Sequence, residues 1–144
     1  MATLAAAAAA AALPGRVFAY NCVNAVMRDP YWGQYPGVIQ SGGMAAGVAD
    51  AFAREGFSVD GTPDVGAIIS WPPGAYGAST VGHVGLVDAV LDAVTMLVRH
   101  ENWNGNPERT YQTALRPGMR FVHRKPAERA ADAPADRPAD AQAI

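Results

Sequence analysis

Apolar residues recur at three- and four-residue steps in the first half of the chain and at alternate positions in the second, so helices are expected to precede strands. Residues 21–28 (NCVNAVMR) set Val23 and Val26–Met27 at helical spacing behind Asn21, whose side chain suits an N-cap. Residues 44–56 repeat Met44, Val48, Ala51, Phe52 and Glu55 along one helical face and close on Gly56, the clearest helix in the chain. Between these two, residues 29–43 are dense in Gly, Pro, Trp and Tyr and read as a loop. After Thr62-Pro63-Asp64 the period changes. Residues 66–71 (GAIISW) are a short apolar run and residues 71–77 a Pro- and Gly-rich loop. Residues 83–90 and 94–102 read as strands joined by the hairpin-length link 91–93, and residues 119–123 (MRFVH) as a last short strand. Helices first and an antiparallel sheet second is an α+β layout.

Composition narrows this picture. A chain of 144 residues, half of them apolar, can bury one proper core but not comfortably two. With a net charge of −2 and no long basic run, it lacks the clustered Lys and Arg of a nucleic-acid surface. The single cysteine, Cys22, excludes an internal disulfide and any zinc site built from several thiolates. Residues 1–13 are nearly all alanine, which predicts a short N-terminal helix over 1–14 halted at Pro14-Gly15. That run is too short and too weakly apolar to insert into a membrane, and its first positive charge, Arg16, follows it rather than preceding it as in a secretion signal. Residues 126–144 are Pro, Ala, Asp and Arg without an aromatic and read as a disordered tail. The folded body is expected over 15–125.

Three positions carry candidate chemistry. Cys22 falls in the first turn of its helix, where free N–H groups and the macrodipole favour a thiolate. Alone, a free cysteine is more often a packed, inert thiol. His83 opens a strand behind the small-residue loop 77–82, a rigid and reachable place for a base. The stretch Arg99-His100-Glu101-Asn102-Trp103-Asn104-Gly105 ends the next strand, and strand parity puts Val94, Met96, Val98, His100 and Asn102 on one face. The same parity puts Glu101 with Thr95, Leu97 and Arg99 on the other. His123 reads as an ordinary surface histidine among basic residues.

Taken together, Asn21-Cys22-Val23, residues 63–69 (PDVGAII), residues 82–87 (GHVGLV), residues 101–105 (ENWNG) and residues 120–123 (RFVH) resemble a CHAP domain, a cysteine, histidine-dependent amidohydrolase/peptidase similar to the NlpC/P60 group and to papain-like folds. The resemblance implies a papain-like α+β core over residues 15–125, with Cys22 as nucleophile and His83 as general base. It also implies that a polar residue of the following strand orients the imidazole. Family members usually carry Glu-x-Asn there. Aligning on Asn102-Trp103 puts His100 in the glutamate slot, so Asn102 is favoured as the orienting residue, with His100 beside it and Glu101 as the outside alternative. The backbone N–H of Cys22 is the natural first oxyanion donor, and Tyr20 is a candidate second.

The implied activity is hydrolysis of bacterial peptidoglycan, by an N-acetylmuramoyl-L-alanine amidase or a peptide endopeptidase, without metal or cofactor. Trp32, Tyr35, Trp71 and Tyr76, together with Trp103, are candidates to line a substrate groove. A small hydrolase lacking a leader suits a phage lysin or a virion-associated enzyme, and the terminal segments could tether it to phage structural proteins. The alternative is a non-catalytic structural or binding component of a phage particle or secretion apparatus that keeps the fold without the missing acid.

Overall fold

The computed structural model describes residues 21–126, so the expected alanine-rich helix over 1–14 and all of the expected tail beyond Pro126 lie outside the described residues. Helix α1 (Cys22–Arg28) is capped by Asn21, whose Oδ1 accepts from the Val23 N–H at 3.1 Å. A 3₁₀ turn (Trp32–Gln34) and helix α2 (Pro36–Ser41) follow, and a second turn (Ala45–Gly47) leads into α3 (Val48–Arg54). Six strands come next: β1 (Val59–Asp60), β2 (Ile68–Trp71), β3 (His83–Asp92), β4 (Thr95–His100), β5 (Arg109–Ala114) and β6 (Arg120–Val122). They form one sheet in the order β1-β6-β2-β3-β4-β5, with every pair antiparallel. The layout is the α+β arrangement expected.

Some boundaries differ from the sequence reading. Residues 29–43 are not a plain loop: Pro36 stands at the first helical position, where its missing N–H costs nothing, and Ile39 anchors the short α2 in the core. The helix expected from residue 44 begins as a 3₁₀ turn and becomes α-helical only at Val48. Strands β1 and β5 were not anticipated. β5 (RTYQTA) has little apolar content and lies at the sheet edge, where only alternate side chains are half-covered.

The sheet buries both faces. Ile68, Val84, Leu86 and Val122 point toward the helices and meet Val26, Val48 and Phe52. Ile69, Trp71, Val87, Met96, Val98 and Phe121 point the other way, where Ala78, Trp103 and Leu115 close over them. This is why β2 is buried at all four positions while β4 alternates. Trp32 and Tyr35, expected at a groove, belong instead to the core. The Trp32 indole is fully buried, donates to the Gly66 carbonyl at 2.8 Å and meets Phe52 edge-on at 5.1 Å. Tyr35 packs edge-on against Phe52 and Phe57. Truncating an aromatic ring in such a cluster costs on the order of 3–5 kcal/mol.

Candidate active site

Cys22 is the first residue of α1, half-buried, and α1 holds it in place by burying Ala25 and Val26 against the sheet. Burial pushes its thiol above the ordinary value, and the charge of Glu101 adds to that; the N–H groups of Val84, Cys22 and Val23 pull the other way. The resting sulfur is therefore a neutral thiol surrounded by main-chain donors suited to its anion.

His83 is set by glycine. Gly82 adopts φ +82°, and a Cβ there would come within 3.0 Å of the Ala46 amide, so only glycine fits the step that starts β3. The His83 ring then lies across from Trp71 in the β2–β3 register, 96 % buried, and its Nε2 sits 2.8 Å from Nδ1 of His100. His100 ends β4 and is 1 % exposed. Gly85 makes the approach possible, because a Cβ there would stand 2.9 Å from that of His100. Aromatic rings surround the pair: Trp103 lies 4.8 Å from the His83 ring and 5.1 Å from the His100 ring, Trp71 5.4 Å and Tyr111 4.9 Å from His100. Such surroundings disfavour imidazolium. Burial first, and the neighbouring imidazole second, push His83 down to about 3, and burial pushes His100 down to about 4.

Cys22, His83, Asn102 and Trp103 line one open groove of about 630 Å³, with Met44 and Val81 on its rim. The residue in contact with His83 is His100, not the favoured Asn102. The parity argument fails at Asn102 because β4 ends at His100 and Asn102 turns into a left-handed conformation at φ +63°. Its main-chain N–H bonds the Asn106 carbonyl, and its side chain borders the groove without meeting His83. Glu101 points away from the histidines, as parity requires. It is buried against α1, where it accepts from the Asn21 N–H at 3.3 Å and from Asn24 at 3.0 Å and forms an ion pair with Arg28.

The other expected positions separate. Trp71 is 2 % exposed and, with Tyr76, faces a second cavity rather than the groove; Trp103 borders both. Tyr20 lies outside the described residues. His123 is not an open surface histidine: its side chain is 12 % exposed and sits between Asp60 at 2.7 Å and Asp64 at 3.5 Å, remote from the groove. Among the described residues no cluster of His, Cys, Asp and Glu could hold a metal ion, and no helix is long and apolar enough to cross a membrane. The approach of His100 to His83 follows from the strand register. Leu86 pairs with Arg99, so His100 falls opposite Gly85 and on the diagonal from His83 on the same face.

Known proteins share parts of this sequence and its fold. The chain is 34% identical over 85 residues to the staphylococcal secretory antigen ssaA2 of Staphylococcus aureus, covering 56% of this chain and 30% of that protein. It is 39% identical over 69 residues to a probable autolysin, LDP, of the same species, covering 47% of this chain and 23% of that one. The chain thus spans less than a third of the curated relatives it matches. Among solved structures, an N-acetylmuramoyl-L-alanine amidase from Staphylococcus aureus superposes with a TM-score of 0.51 and 23% identity over 65% of this chain and 30% of that one, a likeness of fold. The CHAP domain profile matches residues 14–102, which takes in Cys22, His83 and His100, and the chain belongs to the CHAP domain family.

Proposed function

We propose that this chain is a peptidoglycan hydrolase that cleaves an amide bond with Cys22 as nucleophile and His83 as its base. The observation that carries the reading is that Cys22 and His83 border one groove while Nε2 of His83 lies 2.8 Å from Nδ1 of the buried His100. The relatives named as an autolysin and an amidase support the substrate class.

The 2.8 Å contact between two ring nitrogens needs one proton and one lone pair, so two tautomer arrangements fit it. In one, His100 donates from Nδ1 and His83 keeps its proton on Nδ1, which leaves His83 no lone pair for a proton from the groove. In the other, His83 donates from Nε2 to Nδ1 of His100, and its Nδ1 lone pair is free. Only the second makes His83 a base. Because burial favours the neutral forms of both groups, the proton leaves Cys22 as the sulfur attacks the carbonyl carbon, rather than beforehand. The attack forms the S–C bond and the tetrahedral oxyanion, to which the main-chain N–H of Cys22 donates in this reading. Collapse breaks the C–N bond, and His83 returns the proton to the departing amine. Water, deprotonated by the same imidazole, then hydrolyses the thioester. His100 acts through His83 and is a positioning residue.

The test is turbidity loss of purified cell walls. Wild type should clear them, while Cys22→Ser and His83→Ala should lose at least about 10²-fold, the usual worth of a positioned base. Full activity in Cys22→Ser would end the proposal. Mass spectrometry of the released fragments then separates cleavage at the lactyl–alanine amide from cleavage within the peptide.

A further inference from the structure

The groove that holds Cys22 and His83 carries no charge of its own. Among the described residues none that lines it is Asp, Glu, Lys or Arg, and burial keeps His83 neutral there. Four of the lining positions, Gly43, Gly77, Gly82 and Gly105, have no side chain, so the main chain of a ligand can come close to them. Asn102 and Asn104 supply amides, which both donate and accept. On the rim stand Met44 and Val81, apolar yet 59 % and 43 % exposed. Their segments are braced against each other, because the Ala46 N–H donates to the Val81 carbonyl at 2.9 Å.

The charge that acts on the Cys22 sulfur is that of Glu101, which is negative. Its carboxylate is buried, does not border the groove, and is already bonded to Asn21, Asn24 and Arg28. A free carboxylate on a substrate residue beside the scissile amide would therefore meet repulsion and no cation. A free ammonium would lose water and find no unpaired anion. Either ion costs more to seat than a neutral side chain of the same shape. A neutral peptide gives up only amide hydrogen bonds to water, for which asparagine amides are suitable replacements.

We infer that the groove selects an uncharged stretch of peptide, so that the amide cleaved is flanked on both sides by residues without a free carboxylate or amine. As far as cleavage goes this rests on the hydrolase reading; the binding preference does not. Within a wall peptide it points to links between neutral residues such as alanine and glycine. It points away from links beside a free glutamyl carboxylate or the free amine of a diamino acid. Met44 and Val81 are the positions from which an introduced charge would reverse the preference.

Affinity is read on the full chain carrying Cys22→Ala, which cannot form the thioester, by titration of tryptophan fluorescence, since Trp103 borders the groove. The probes are acetyl-Ala-Xaa-Ala carboxamides with Gln, Glu, norleucine or Lys at Xaa, in either configuration. Gln and Glu share a size, as do norleucine and Lys nearly, so each ratio reads charge. Gln should bind at least about fivefold tighter than Glu, and norleucine than Lys by the same margin. Adding Val81→Lys should recover the Glu peptide by up to about fivefold and leave the Gln peptide unchanged, and Met44→Glu should do likewise for Lys against norleucine. A variant that fails to fold loses both members of a pair, whereas the reversal changes one. Ratios within about twofold of unity, or no saturable binding of the neutral peptides, overturn the inference. Flat ratios in a chain whose wild type clears cell walls keep the hydrolase reading and remove the selection. Unequal ratios in a chain that clears none retain the selection and remove the hydrolase reading.

Discussion

His100, standing where the sequence resemblance led to the expectation of an acid, alters the electrostatics of the His83 imidazole. A carboxylate 2.8 Å from His83 would favour imidazolium; the His100 imidazole in the same place does the opposite and adds to the larger effect of burial. His83 is therefore neutral across the whole range in which an ordinary histidine titrates, and the acid limb of activity should lie well below pH 6.5, the unperturbed value. His100→Glu should restore the missing counter-charge, raise the His83 value by about 1–3 units and move the acid limb of kcat/KM up in pH. His100→Phe keeps the aromatic packing but removes the acceptor, so it should lower kcat while leaving the limb low. A pH–rate profile for the three proteins checks this. An unshifted limb in His100→Glu would show that His100 fills space and does not act through His83. The Cys22 thiol, raised by burial, sets no limb in the acid range.

Between elements, the decisive contact is the one Glu101 makes. It follows β4 directly, yet its carboxylate reaches α1, tying the Asn21 N–H, Asn24 and Arg28 to the strand end that carries His100. The helix that carries Cys22 and the strand that carries His100 are thereby joined by one buried side chain, at the cost of a negative charge near the thiol. Glu101→Gln separates the two effects. It should destabilise the fold by about 1–3 kcal/mol, since the Arg28 partner goes while the amide still accepts a hydrogen bond. It should also lower the Cys22 thiol value, so the midpoint of the alkylation rate against pH moves down. Loss of stability with an unmoved midpoint would leave Glu101 purely structural. This clamp was not legible in the sequence beyond the parity that turned Glu101 away from the histidines. The capped α1, the long hairpin and the places of Cys22 and His83 were legible, because each rests on local pattern. Asn102 was misread because a left-handed residue ends the alternation, although Asn and Gly in Asn102-Trp103-Asn104-Gly105 are the types that tolerate such backbone. Helices as short as α2 are held by tertiary packing rather than propensity, so nothing local announced it.

At the scale of the whole molecule, the sheet separates two apolar clusters, one under the helices and one under the loops, and the paired histidines are built into the second. That placement links the proposed base chemistry to stability through pH. In the unfolded chain both histidines take up protons near pH 6.5. In the fold they do so only near 3 and 4. Between those limits the unfolded state binds more protons, so folding stability is fully present above about pH 6.5 and declines as pH falls toward about 3. Carboxylates add to the decline only in the lower part of that window, below about pH 5. Asp50, Asp60 and Asp92 have values held below the ordinary 3.8, by the Arg120 ion pair for Asp50 and mainly by main-chain N–H groups for the other two, so the decline between about pH 6.5 and 5 belongs to the histidines. The melting temperature by calorimetry should therefore be flat above neutrality and fall steadily as the pH drops below about 6.5. In the double variant His83→Gln/His100→Gln, whose Tm at neutral pH will itself differ, that slope should flatten until carboxylates begin to titrate. A wild-type Tm that stays level from neutral pH down to the carboxylate range would mean that the folded pair accepts protons as readily as the unfolded chain, and the neutral dyad on which the proposed base chemistry rests would have to be abandoned.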